Sequence, residues 1–253
     1  MGYEKSGEAP CVLEGLVSLD AVFKSGSRRL DRVFLDKKRA AERQREASYI
    51  RHACERAGAS FELVDGEVID SFASGRTHGG ILAFAGERRY KTLEQLADKK
   101  GFLCLIEGIE DPYNFGFCVR SLYAAGADGL VLPPRNWMSA SAVVARSSAG
   151  ASELIDASQG DVLEAVSFLK SKGYRIVCAS GEGKHDYSSP DAGLTVPLLL
   201  VVGGEKRGIS KSLLEMADST VKIDYGRDFD QSLPSVCAVS VLAFEVSRRR
   251  GAR

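Results

Sequence analysis

Three short stretches hold the residue types from which a reaction site could be built. DPYNFGFCVR, residues 111–120, sets Asn114 and Arg120 behind an Asp-Pro break. VVGGEKRGIS, residues 201–210, joins Gly203 and Gly204 to Glu205, and DQSLPS, residues 230–235, offers the hydroxyls of Ser232 and Ser235. Each has two readings. Asn114 can N-cap a helix whose Arg120 is solvated or paired, or both can face a cleft. Glu205 is an exposed loop acid or a polar anchor. The serines cap a helix or handle a substrate hydroxyl. The glycine pair lets a ligand press on bare backbone, but it lacks the Lys-Ser/Thr of a phosphate-binding loop and the spacing of a dinucleotide fingerprint. His52, His78 and His185 lie outside all three stretches, and the six cysteines contain no CxxC and no His at ligand spacing. No metal site is expected, and the thiols read as reduced and mostly buried.

The elements that must position these residues follow from hydrophobic periodicity. From residue 101 onward FLCLIEG, GLVLP, YRIVCAS, PLLLVVGG and STVKIDYG read as buried strands. Helical segments are expected between and after them at 114–126, 139–149, 160–172, 209–216 and 235–249. Buried strands alternating with helices imply a parallel, helix-covered sheet, in which ligands bind beyond the carboxyl ends of the strands. All three polar stretches lie at such ends and should converge. Residues 11–86 read as a separate small α/β domain with strands near 31–35, 61–64 and 80–84. Residues 87–100 form a charged linker, and 101–250 the second domain.

The chain carries 34 basic and 34 acidic residues, so a nucleic-acid partner would have to be held by local patches. The candidates are FKSGSRRLDRVFLDKKRAAERQR, with Lys24, Arg28, Arg29 and Arg32 at its head, and the C-terminal SRRRGAR. A solvated helix face explains such runs as well. MGYEKSGEAP has no apolar core of a secretory signal, and the longest apolar run, LTVPLLLVVGG, is too short to span a bilayer. A soluble, cytoplasmic protein is expected.

Taken in order, DPxNxGxxxR, LVxGxExxGxS and SLxxxxAxxxLAFE resemble the three motifs of the SpoU (TrmH-like) RNA 2′-O-ribose methyltransferases of the SPOUT superfamily. RSSAGASE at 146–153 is similar to that family's SAGA-type segment. VLEGLVSLDAVFKSG and THGGILAFAG are similar to the start and end of its small RNA-binding domain. The resemblance implies an α/β fold with a mostly parallel, trefoil-knotted sheet covered by helices on both faces, preceded by that small domain. It implies a homodimer that uses S-adenosylmethionine on ribosomal or transfer RNA.

The resemblance makes Asn114, Arg120, Glu205 and Ser232 the catalytic set. Ala179, Ser180, Gly203, Gly204, Ile223 and Leu233 would hold the cofactor, and Lys24, Arg28, Arg29 and Arg32 the RNA. Pro234 stands where many members carry Asn, and Gly79 where relatives often have Gln. The first departure leaves open a non-catalytic RNA-binding relative.

Overall fold

The computed structural model describes residues 11–75, 77–204 and 206–251. They fall into two compact units: residues up to 89 together with 140–154, and 90–139 together with 155 onward. Elements are numbered along the chain.

The first unit holds strands β1 (Cys11–Glu14), β2 (Leu30–Asp36), β3 (Ser60–Val64) and β4 (Ile81–Ala85) in the order β1-β4-β2-β3. β4 is antiparallel to both β1 and β2, and β2 and β3 are parallel. Its helices are α1 (Gly15–Ser25), α2 (Lys37–Glu42), α3 (Gln44–Ala57) and α4 (Gly66–Phe72), with α7 (Ser141–Ser147) and α8 (Ala151–Leu154) from the later segment. α3 stops where Gly58 takes a left-handed conformation at φ 70°. Val33, Leu35, Ile81 and Ala83 meet Leu19, Val22, Ile50 and Cys54 in one core cluster, which also takes in Ala145.

The inclusion of 140–154 departs from the sequence reading, which assigned a helix at 139–149 to the sheet domain. The segment breaks into α7 and α8 around Ala149 and Gly150, both at positive φ. A Cβ on Gly150 would lie 2.9 Å from that of Ala21, so only glycine lets this turn approach α1 so closely.

The second unit is built on strands β5 (Phe102–Glu107), β6 (Gly129–Leu132), β7 (Ala157–Gln159), β8 (Arg175–Ala179), β9 (His185–Asp186), β10 (Leu198–Gly203) and β11 (Ser219–Lys222). They form a seven-stranded sheet in the order β7-β6-β5-β10-β8-β11-β9, parallel at every pairing. The five strands expected from the apolar runs are present. β7 and β9 are too short to leave a pattern. The helices are α5 (Leu93–Ala97), α6 (Pro112–Ala124), α9 (Val162–Ser171), α10 (Lys211–Glu215) and α11 (Ser235–Arg249).

Strand residues divide by parity. Leu103, Leu105, Ile176, Cys178, Leu199 and Val201 pack with Val166, Leu169 and Leu213 from α9 and α10. The alternate positions are buried too, as expected of a sheet covered on both faces. No helix among the described residues is long and apolar enough to cross a membrane.

Candidate active site

The geometry starts at the carboxyl end of β5. Gly108 turns the chain at φ 74°, and α6 begins with Asp111 as N-cap and Pro112 in its first turn. The Asp111 carboxylate accepts from the Asn114 backbone N–H at 2.9 Å. Asn114 is therefore not the cap but sits within the first turn, partly buried. Proline fits the start of a helix, and the acid beside it satisfies an open N–H. Phe115, Cys118, Val119 and Leu122 face inward, leaving Tyr113, Phe117 and Arg120 outward. Arg120 makes no hydrogen bond or ion pair with another described residue.

At the end of β10 the chain doubles back, Gly208 N–H donating to the Gly204 carbonyl at 3.0 Å. A Cβ on Gly204 would stand 1.9 Å from the Gly108 carbonyl oxygen, and one on Gly203 2.2 Å from the Gly208 carbonyl carbon. Real side chains do not fit there, so the glycine pair is demanded by crossing backbone. Ser210 N–H donates to Glu107 Oε2 at 2.8 Å, and Lys206 Nζ lies 2.6 Å from Glu110 Oε2. These contacts bring the loop after β5 and the loop after β10 together, as expected. Glu205 lies outside the described residues.

The third stretch joins through α11, whose Ser235 hydroxyl donates to the Gly203 carbonyl at 2.9 Å. Ser235 thus ties the helix to β10 rather than capping it. Pro234 holds the N-cap position with no side-chain cap bond. Ser232 is exposed, and Ile223 and Leu233 are half-buried. The Leu233 N–H donates to the Tyr225 hydroxyl at 3.0 Å. Ala179 and Ser180 are also half-buried. There the Ser180 N–H bonds the Val221 carbonyl at 2.9 Å, and a Cβ on Gly183 would stand 2.4 Å from the Val221 carbonyl carbon.

Burial pushes the Cys178 thiol up to about 12 and the Cys104 thiol well above its usual range. Both stay protonated and inert at neutral pH. No cluster of potential metal ligands occurs among the described residues.

The basic patches look different from the sequence reading. Arg28 is buried, 6% exposed, and bonded to Glu153, so it is not offered to a phosphate. Lys24 pairs with Asp20 at 2.5 Å, Arg29 with Asp31 at 2.9 Å and Arg32 with Glu62 at 3.4 Å. Arg39 takes Glu46 in a two-point contact. At the C-terminus Arg249 bonds Glu245 and the carbonyls of Tyr187 and Ser189, and Arg250 bonds the Gly126 carbonyl and Asp128. Arg249 and Arg250 thus tie the end of α11 to other segments, while Arg248 bonds Glu245 on its own helix; Arg253 lies outside the described residues.

A feature missed in the sequence is a cavity of about 320 Å³ beside Phe115, at the ends of β5 and β6, reached by Trp137 and Arg135. The strand-end rule that picked out the other loops applies equally to PPRNWMS, residues 133–139, and would have found it.

The profile of the SpoU rRNA Methylase family matches residues 101–244. That of the RNA 2′-O ribose methyltransferase substrate binding domain matches residues 12–91. The chain is 31% identical over 180 residues to a putative TrmH family tRNA/rRNA methyltransferase of Staphylococcus saprophyticus, covering 68% of this chain and 71% of the relative. It is 29% identical over 245 residues to the 23S rRNA (guanosine-2′-O-)-methyltransferase RlmB of Shewanella oneidensis, covering 94% and 97%. In fold it resembles an AdoMet-bound rRNA methyltransferase from Sinorhizobium meliloti, with a TM-score of 0.79 at 21% identity over 96% of this chain and 88% of that one. It also resembles the SpoU methyltransferase AviRb of Streptomyces viridochromogenes, with a TM-score of 0.77 at 20% identity over 96% and 91%. With more than half its length matched by one profile and its three motifs at the ends of a parallel sheet, the chain belongs to the SpoU rRNA methylase family.

Proposed function

We propose that the protein transfers a methyl group from S-adenosylmethionine to a ribose 2′-hydroxyl in structured ribosomal or transfer RNA, in the cytoplasm and as a homodimer. The observation that carries this reading is the meeting of the strand-end loops at Gly108, Gly203 and Gly204, with Asn114 and Arg120 on the helix that leaves them.

The loop residues suit the cofactor. The strand-end loops after β8 and β11 and the short β9 between them carry Glu182, Asp186, Asp224, Asp228 and Asp230 against Lys184 and Arg227, an acid excess that favours a sulfonium and an amino group. Ala179, Ser180, Gly203, Gly204, Ile223 and Leu233 would hold it. The cofactor supplies an electrophilic methyl group. With the cofactor bound, a ribose 2′-oxygen would take that methyl group, leaving the thioether behind and losing its proton to phosphate or water. Arg120 cannot serve as a plain base, because a guanidinium does not deprotonate in a protein. Its forked donors stabilise the 2′-oxyanion as it develops and fix the adjacent phosphate. By the family pattern Asn114 and Glu205 would shape the pocket around Arg120 once RNA is bound, and Ser232 would handle the substrate hydroxyl.

The backbone crossings at Gly183, Gly203 and Gly204 support a knotted path. The outward Tyr113 and Phe117 of α6 and Phe244 of α11, the last 52% exposed, support pairing of two copies through these helices. Pro234 favours a second reading, a relative that binds RNA without modifying it. Calorimetry with S-adenosylmethionine, then methyl transfer from labelled cofactor to RNA from cells lacking the protein, separates the two. Binding without transfer to any RNA would select the second reading.

A further inference from the structure

The cavity beside Phe115 belongs to none of the residues nominated for the cofactor. Its walls are Ile106 and Ile109 at the end of β5, Phe115 on α6, and Pro133 and Trp137 on the loop after β6, with Arg135 alongside. All of these lie within the second unit. Its 320 Å³ is near the lower bound of pockets that hold small organic ligands, roughly 300–1,000 Å³. That suits one flat ring system better than an extended cofactor.

The loop is built to hold the indole in place. Trp137 Nε1 donates to the Ile109 carbonyl at 2.6 Å. The Asn136 side chain spans its own loop, donating to the Pro133 carbonyl at 2.8 Å and accepting from the Met138 N–H at 2.9 Å. The Ser139 hydroxyl donates to the Asn136 carbonyl at 3.1 Å. With its N–H engaged, the indole offers a ligand its face and not a hydrogen bond. Arg135 is exposed and makes no ion pair with another described residue. A fixed aromatic face, apolar walls and an unneutralised guanidinium are what an unstacked nucleotide requires: stacking for the base, charge for the phosphate. Phe115 follows Asn114 directly, so a base seated here would bring its ribose to the start of α6.

Resting on the methyltransferase reading, we propose that this cavity takes the extruded base of the nucleotide being methylated, stacked on Trp137, with Arg135 holding an adjacent phosphate. Purines and pyrimidines differ most in ring area, so the cavity would also be where base preference is exerted.

Trp137 is the only tryptophan in the chain, so tryptophan emission, excited beyond the tyrosine absorption band, reports on this wall alone. Protein-free total RNA, ribosomal and transfer, from cells lacking the protein should quench its emission saturably, while inorganic polyphosphate and S-adenosylmethionine alone should not. Trp137→Ala should lower kcat/KM for RNA roughly tenfold or more, with cofactor affinity unchanged and Trp137→Phe restoring most of the loss. Emission unchanged by saturating RNA overturns the proposal, whether or not methyl transfer occurs. So does a Trp137→Ala variant that loses cofactor affinity in step with turnover, which would assign the cavity to the cofactor. Failure of wild-type protein to bind S-adenosylmethionine would overturn the methyltransferase reading instead, and quenching by RNA would still decide the fate of the cavity.

Discussion

Arg28 grips Glu153 from 125 residues away, Nε to Oε2 at 3.0 Å and Nη2 to Oε1 at 3.3 Å, with both side chains almost wholly buried. The Ser27 hydroxyl donates to the same carboxylate at 2.7 Å, and Arg88 Nη1 stands 3.5 Å from it. A carboxylate shared by two buried guanidiniums is the anchor by which α8 joins the first unit.

Removing that anchor takes a shared carboxylate from two buried cations. Glu153→Gln should therefore destabilise the protein by about 3 kcal/mol or more, read by urea or thermal unfolding. Arg29→Ala, at a side chain 73% exposed, should change stability by less than about 0.5 kcal/mol. Only the latter tests RNA docking: if Arg29 contacts phosphate, its removal should flatten the salt dependence of RNA affinity by about one unit of slope. An unaltered slope would leave Arg29 as a solvated partner of Asp31.

Gly204→Ala should abolish cofactor binding or folding, because its Cβ would fall 1.9 Å from a backbone oxygen that cannot move aside alone. Gly226→Ala meets nothing within 4 Å and should be neutral. Calorimetry with S-adenosylmethionine and circular dichroism on both proteins check this. Equal binding by the two would contradict the crossing.

Arg120→Lys keeps the charge but loses the planar fork. If Arg120 stabilises charge that exists only in the transition state, turnover should fall roughly 100-fold, about 3 kcal/mol, with RNA and cofactor affinities far less changed. A stable, fully active variant in single-turnover assays would remove Arg120 from the chemistry.

Phe244 and Phe117 expose 52% and 41% of their surfaces on α11 and α6. If this face pairs two copies, Phe244→Glu should shift the sedimentation profile from dimer to monomer without lowering the melting temperature of the monomer. A wild-type monomer at micromolar concentration would rule the pairing out.

Glu245, 8% exposed, is hydrogen-bonded by Arg248 and Arg249, and the Arg248 bond leads in holding its carboxyl below the usual range, against the effect of burial. A depressed folded-state pKa means the unfolded chain binds the proton more readily. The stabilisation is then fully present above the ordinary glutamate range near about 4.3 and is lost as pH falls through the lower, folded-state value. Glu245→Gln should lose stability at neutral pH and show a shallower decline on acidification, as measured by thermal melts from neutral pH to pH 3.

Five of the seven strands of the second unit were legible in the sequence because burial on both faces leaves long apolar runs, and FLCLIEG and PLLLVVGG need no partner to be read. The meeting of the polar stretches was legible too, since parallel strands place their ends on one side of a sheet. What no periodicity could report was which distant group each charge would meet. Arg28 looks like Arg29 in a basic run, yet one is buried on Glu153 and the other lies in solvent. The Asn114 cap passed to Asp111 because the competition between neighbouring caps is settled by local geometry. Residues 140–154 carry a helical pattern that fits either unit. Only the close approach of Gly150 to Ala21 and the burial of Glu153 among arginines decided where they fold. A hydrophobic pattern records that a residue is buried; its partners are chosen by the tertiary fold.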